Sequence, residues 1–115
     1  VNGLFVAAIG IHESNWGTST IAQEKRNLFG YGSYDASAYE SSVTFESYQY
    51  GIELVTKALA KYYVNESGTQ INDTEVATGI YYNGSTIEGV NVKYASDPEW
   101  ANRVFEIMNA LYNNL

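Results

Sequence analysis

Residues 2–14 read NGLFVAAIGIHES, and this stretch decides the fold. Leu4, Phe5, Val6, Ala7, Ala8, Ile9 and Ile11 leave no polar stripe at helical spacing. A helix that is apolar almost all round belongs inside a core rather than upon it. Wound at about 100° per residue, it sets Glu13 above Val6, Ile9 and Gly10, with Leu4, Ala8 and Ile11 on the far side. The helix then offers no wet face for that carboxylate, which is costly to bury without a partner or a proton. Desolvation and the negative end of the helix dipole both push its pKa upward. A carboxylic acid that keeps its proton near neutral pH suits protonation of a leaving oxygen. Gly10, one turn earlier on the same face, leaves room for a ligand to approach. A plainer role stays open, in which Glu13 caps loop amides at residues 16–18.

Outward from this helix, Gly17 can end it and Thr18 or Ser19 can cap a short helix through residues 21–25. Residues 27–32, NLFGYG, read as a loop. Residues 33–46 are rich in Ser, Tyr, Val, Thr and Phe and predict a small two-stranded hairpin or an irregular lobe. From Ser47 a long helix is expected, since Tyr48, Ile52, Val55, Leu59 and Tyr62 recur at helical spacing while Glu53, Lys57 and Lys61 line another face. A weaker helix is expected over residues 73–81. The last helix is the clearest: Asp97 as N-cap, Pro98 at the first position, Glu99 at the positive end. Trp100, Val104, Ile107, Met108, Leu111 and Leu115 then form an apolar stripe opposite Asn102, Glu106, Asn109 and Asn113. The fold class is therefore mainly α with a small β-hairpin lobe.

The 115 residues suit one domain, and a hydrophobic share of 45% with 17% charged residues supports a buried core. The chain opens on Val1 within an apolar helix, as a piece of a longer, processed or trimmed protein would. No apolar run approaches the roughly 20 residues that span a bilayer, so no membrane partner is expected. Thirteen acidic against six basic residues give a net charge of −7, which lacks the electrostatic footprint of a nucleic-acid binder. There is no cysteine and a single histidine, His12, so neither thiolate nor multi-histidine metal sites are expected. Eleven tyrosines and two tryptophans suit amphipathic partners such as sugar rings, although small cores also use tyrosine at their edges. Asn-x-Ser/Thr triplets at Asn65, Asn72 and Asn83 read as chance in an Asn-, Ser- and Thr-rich chain.

Four blocks carry a family likeness. Residues 11–19, IHESNWGTS, resemble the E-S/T-x-x-G-x-S segment of bacterial glucosaminidases, family 73 of the glycoside hydrolases. Residues 27–30, NLFG, match that family's next block. Tyr34 and Asp35 followed by Tyr39 look like its Y-D-x-x-P-Y segment, with Ala38 where proline is common. Residues 89–101, GVNVKYASDPEWA, resemble its Y-A-S/T-D-x-x-W/Y-A region. The blocks stand in the family's order.

The resemblance implies a lysozyme-like α+β fold with a cleft between lobes, and hydrolysis of the β-1,4 bond between N-acetylglucosamine and N-acetylmuramic acid in peptidoglycan. It assigns Glu13 as general acid. Asp35 and Glu40 are candidates for a second catalytic carboxylate, with Glu46 further back, and a substrate-assisted route through the 2-acetamido group needs none of them. Tyr94 would orient the substrate or polarise the acetamido group or water, or else be a hydrogen-bonded core tyrosine. Tyr31 and Tyr34 would stack on a sugar, and Phe29 would form a wall of the pocket or part of the core. Trp16 and Trp100 are assigned to packing. No cofactor or metal is expected. The 115 residues would be a single catalytic domain, with the family's N-terminal helix absent or truncated, monomeric within a larger secreted, cell-wall protein. A lytic transglycosylase and a non-catalytic glycan-binding module are the competing readings.

Overall fold

The computed structural model describes residues 1–32 and 38–115. Helix α1 spans Gly3–Ser14, α2 Thr20–Lys25, α3 Ala38–Ser41, α4 Tyr48–Ala58, α5 Ile87–Tyr94 and α6 Trp100–Asn113. A π-helical turn, Leu59–Tyr63, extends α4.

Local chemistry explains the helix starts. Asn2 caps α1 by accepting from the amides of Leu4 (2.8 Å) and Phe5 (3.3 Å). Ser19, Ser47 and Thr86 cap α2, α4 and α5 in the same way, each satisfying an amide that the helix itself leaves unpaired. Helix α6 begins two residues later than the sequence predicts. Asp97 accepts from the Glu99 amide at 2.9 Å and so caps a lead-in turn, while helical geometry starts at Trp100.

Helix α1 runs through the core and packs chiefly on α6. Phe5, Val6, Ala8 and Ile9 of α1 meet Val55 and Leu59 from the α4 segment, Val90 of α5, Trp100, Ala101 and Val104 of α6, and the loop residue Phe29. The expectation of burial all round is corrected on one side. Ala7 is exposed, Leu4 and Ile11 are half-buried, and Ala7 and Ile11 border an open apolar cavity of about 510 Å³. Helix α6 packs along α1, and the flank bearing Ala7 and Ile11 is left open.

Two further expectations change. Residues 73–81 are not helical: Asn72 Oδ1 accepts from the amides of Thr74 and Glu75 at 2.9 Å each, as a helix cap would, but the chain then folds back. Ala77 donates to the Thr69 carbonyl at 2.7 Å and Gln70 pairs antiparallel with Val76 in an isolated bridge. Of the predicted hairpin, residues 33–37 lie outside the described residues, and Ala38–Ser41 is a helical turn rather than a strand. Among the described residues the molecule is mainly helical, with no named strand.

Candidate active site

The loop after α2 is built around one side chain. Asn27 is 1% exposed and uses its whole amide. Its Nδ2 donates to the carbonyls of Tyr31 (3.0 Å) and Val43 (2.9 Å), and its Oδ1 accepts from the amides of Phe29 (3.2 Å) and Tyr31 (3.0 Å). This fixes the turn that presents Phe29 and Tyr31. Phe29 is buried and packs on α1 at Gly10, where a Cβ would stand 3.4 Å from the ring, an ordinary contact distance. Gly10 lines the open apolar cavity on the flank of α1 and is not among the residues lining the cleft at Glu13.

Beyond that wall lies a cavity of about 280 Å³ lined by Glu13, Phe29, Tyr31, Gly32, Val55, Ala58, Leu59, Tyr63 and Tyr94. Four residues singled out in the sequence, Glu13, Phe29, Tyr31 and Tyr94, thus line one cleft. Glu40, on α3, is exposed and is not among the lining residues. Tyr34 and Asp35 lie outside the described residues. Glu46 is exposed near the start of α4 and does not line the cleft either.

Glu13 is not sheltered by its own helix. It stands in the last turn of α1, where the core cover ends, and it is exposed. Among the described residues its hydrogen-bond partner comes from 87 residues away: the indole Nε1–H of Trp100 donates to Glu13 Oε1 at 2.9 Å. Trp100 is buried, as assigned, but it also holds the carboxylate. Trp16 is 65% exposed on the rim of the larger cavity, so its assignment to packing is corrected; its φ of 59° turns it outward at the end of α1.

Tyr94 closes the opposite side. Burial pushes its phenol well above the ordinary range, and the Glu13 carboxylate and Tyr63 add to the effect. Tyr63 is likewise raised, mainly by burial and then by Tyr81 and Tyr31. Rings run on from the site: Tyr81 to Tyr63 at 5.1 Å, Tyr63 to Tyr94 at 5.4 Å, and Tyr94 to Trp100 at 5.1 Å. Tyr63 was missed because the apolar stripe of α4 points to Tyr62. The π turn instead packs Tyr63 and Val64 on the core.

The larger cavity on the open flank of α1 has no carboxylate, imidazole or phenol among its described lining residues. The smaller cleft joins one carboxylate to three phenols. Of the two, the smaller cleft alone sets a carboxylate beside phenols among the described residues, and we take it as the candidate active site.

The glucosaminidase family profile, described as mannosyl-glycoprotein endo-beta-N-acetylglucosaminidase, matches residues 1–113. The chain belongs to the glucosaminidase family. Two similar proteins, from two strains of Streptococcus pneumoniae, one of them serotype 4, carry a provisional endo-beta-N-acetylglucosaminidase name. Each is 34% identical over all 115 residues of this chain, which covers 16% of one relative and 15% of the other. The glucosaminidase region is thus a small part of those longer proteins. Membership makes the chain a glycoside hydrolase domain. Among the described residues no group of three or more acidic or histidine side chains could hold a metal. Among them, too, no helix is long and apolar enough to cross a membrane.

Proposed function

We propose that this glucosaminidase domain hydrolyses the β-1,4 bond between N-acetylglucosamine and N-acetylmuramic acid in peptidoglycan, with Glu13 as the general acid. The observation that carries the reading is the cleft itself: Glu13 is the one carboxylate among its described lining residues, and it shares the cleft with Tyr31, Tyr63 and Tyr94. The phenols offer flat faces and hydroxyls to a sugar. A glycan lying over Glu13 would exclude water from it, supplying the desolvation that α1 does not.

The Glu13 carboxyl gives its proton to the bridging oxygen, the bond from the anomeric carbon to that oxygen breaks, and water completes the sugar. A second carboxylate would stand about 5–5.5 Å from the first for retention and about 6.5–9.5 Å for inversion. With Glu13 alone among the described lining residues, the substrate's own 2-acetamido group is the favoured assistant, oriented by Tyr94. Asp35 remains the candidate second acid, and Glu40 would need α3 to approach the cleft. The resemblance of residues 11–19 and 89–101 to bacterial glucosaminidases supports peptidoglycan as substrate and, with it, a secreted, cell-wall setting within a larger protein.

The test is Glu13→Gln, which should reduce release of muropeptides from purified peptidoglycan by a factor of about 10³ or more, on the order expected when an acid catalyst is lost. Binding to the glycan should survive. Mass spectrometry of the parent's products should show a reducing N-acetylglucosamine end. An anhydromuramic end would instead mark a transglycosylase, and an unimpaired Glu13→Gln variant would remove Glu13 from the mechanism.

A further inference from the structure

Trp100 is 1% exposed, yet the one polar group of its indole is not spent inside the core. Its Nε1–H reaches Glu13 Oε1 at 2.9 Å. The ring is braced from two sides: Phe5 meets it edge-on, with centroids 6.3 Å apart and planes at 83°, and Tyr94 lies 5.1 Å away. A donor held this way has little freedom to follow a moving carboxylate, so the carboxylate must come to it.

An indole N–H donates and never accepts. Oε1 therefore has to present a lone pair at that contact, and because the carbonyl oxygen of a neutral carboxyl accepts better than its hydroxyl oxygen, the donor favours the proton on the other oxygen. When Glu13 is neutral its proton resides on Oε2, which has no hydrogen-bond partner among the described residues. We propose that Trp100 is the positioning residue of the acid: its N–H places the transferable proton on Oε2 and keeps that oxygen free for the cleft. This rests on the reading of Glu13 as general acid. In the step, the Oε2–H bond breaks as the bridging oxygen takes the proton. The bond from the anomeric carbon to that oxygen then breaks, with its electron pair leaving on the oxygen. Glu13 is left ionised with the indole N–H still on Oε1. A charge-assisted hydrogen bond is stronger than a neutral one, so this donor favours the product side of proton transfer.

The other titratable groups round the same carboxyl are Tyr94 of α5, Tyr63 of the π turn and Tyr31 of the loop. Arg103, further along α6, is turned to Asp97 at 3.6 Å, and His12 on α1 is not a lining residue.

The deciding measurement is a pH titration of the indole N–H resonances in isotope-labelled protein, with the exposed Trp16 as internal reference. The Trp100 resonance should move in one step as Glu13 ionises and should be flat in Glu13→Gln; a flat Trp100 resonance in the parent overturns the proposal. A second arm replaces Trp100 by 3-benzothienylalanine, which keeps the ring and removes only the N–H. The expected result is a KM within about twofold of the parent and a kcat lower by about tenfold. The alkaline limb of the pH profile should move upward, because the acid has lost a donor that stabilises its ionised form. Parental kcat with an unmoved limb overturns the proposal, as does a lower Tm with raised KM and an unmoved limb, which marks mere packing. Should Glu13→Gln digest peptidoglycan like the parent, the acid assignment itself fails. An inactive Glu13→Gln beside a parental isostere rejects only the role given to Trp100.

Discussion

At the scale of single residues, the two buried asparagines do more to shape the cleft than any apolar side chain. Asn27 saturates both ends of its amide with backbone partners, and those partners belong to Phe29, Tyr31 and Val43. Asn91 does the same further on. Its Nδ2 donates to the carbonyls of Ala95 and Asp97, and its Oδ1 accepts from the Ala101 amide at 3.0 Å, which ties α5 to the start of α6. Asn27→Asp preserves shape but sets an acceptor against two carbonyl oxygens in a site that is 1% exposed. Destabilisation of about 3 kcal/mol near neutral pH is expected from the lost donors and the buried charge. The loss should ease on acidification, because the introduced carboxyl regains one donor once protonated. Denaturant melts at two pH values decide it; a variant as stable as the parent at both would show that the amide donors contribute nothing.

At the scale of elements, helix α5 carries Tyr94 to the cleft only because Gly89 lets it lie against the preceding loop. A Cβ at Gly89 would stand 2.2 Å from the Asn83 carbonyl oxygen and 2.8 Å from that of Gly84, both backbone atoms with little room to move. Gly89→Ala should cost about 3 kcal/mol by overpacking and should weaken turnover as well, read by melts and by digestion of peptidoglycan. Ser47→Ala, by contrast, removes only the hydroxyl that accepts from the Tyr50 amide at 3.0 Å. It should lower stability by about 1 kcal/mol without touching catalysis, since Ser47 is exposed and remote from the cleft lining. These elements also show what a sequence can and cannot disclose. Helix α1 is legible because Asn2 and an unbroken apolar run are local signals. The start of α4 is legible because Ser47 is a cap. Residues 73–81 misled because Asn72 makes the same local hydrogen bonds at a turn as at a helix start, and only Gly79, at φ 62°, shows the chain turning away. The lining of the candidate cleft was legible where short motifs carry it, at Glu13, Phe29, Tyr31 and Tyr94. The bond from Trp100 to Glu13 was not, since it joins residues 87 apart and leaves no local pattern.

At the scale of the whole molecule, the cleft and the core are joined through rings, and this makes stability depend on alkaline pH. Tyr63 and Tyr94 sit between Tyr81 on the outside and Trp100 within, and burial raises both phenols above their ordinary value. In the unfolded chain both titrate near about 10. Below that pH the two states hold the same protons, and these groups contribute no slope. Above it the unfolded chain has released protons that the native state keeps, so unfolding is favoured progressively as pH rises towards the native values. Melting temperature should therefore fall above about pH 10, beyond what the growing net negative charge alone causes. Tyrosinate absorbance should show the exposed members of the 11 tyrosines ionising first, with the last phenols released only as helical ellipticity is lost. Tyr94→Phe keeps the ring contacts and removes one of the two phenols raised mainly by burial, so its alkaline decline should be shallower than the parent's. Eleven phenols ionising together near about pH 10 in a protein that stays folded would contradict this account, because Tyr63 and Tyr94 could not then be buried between the cleft and the core.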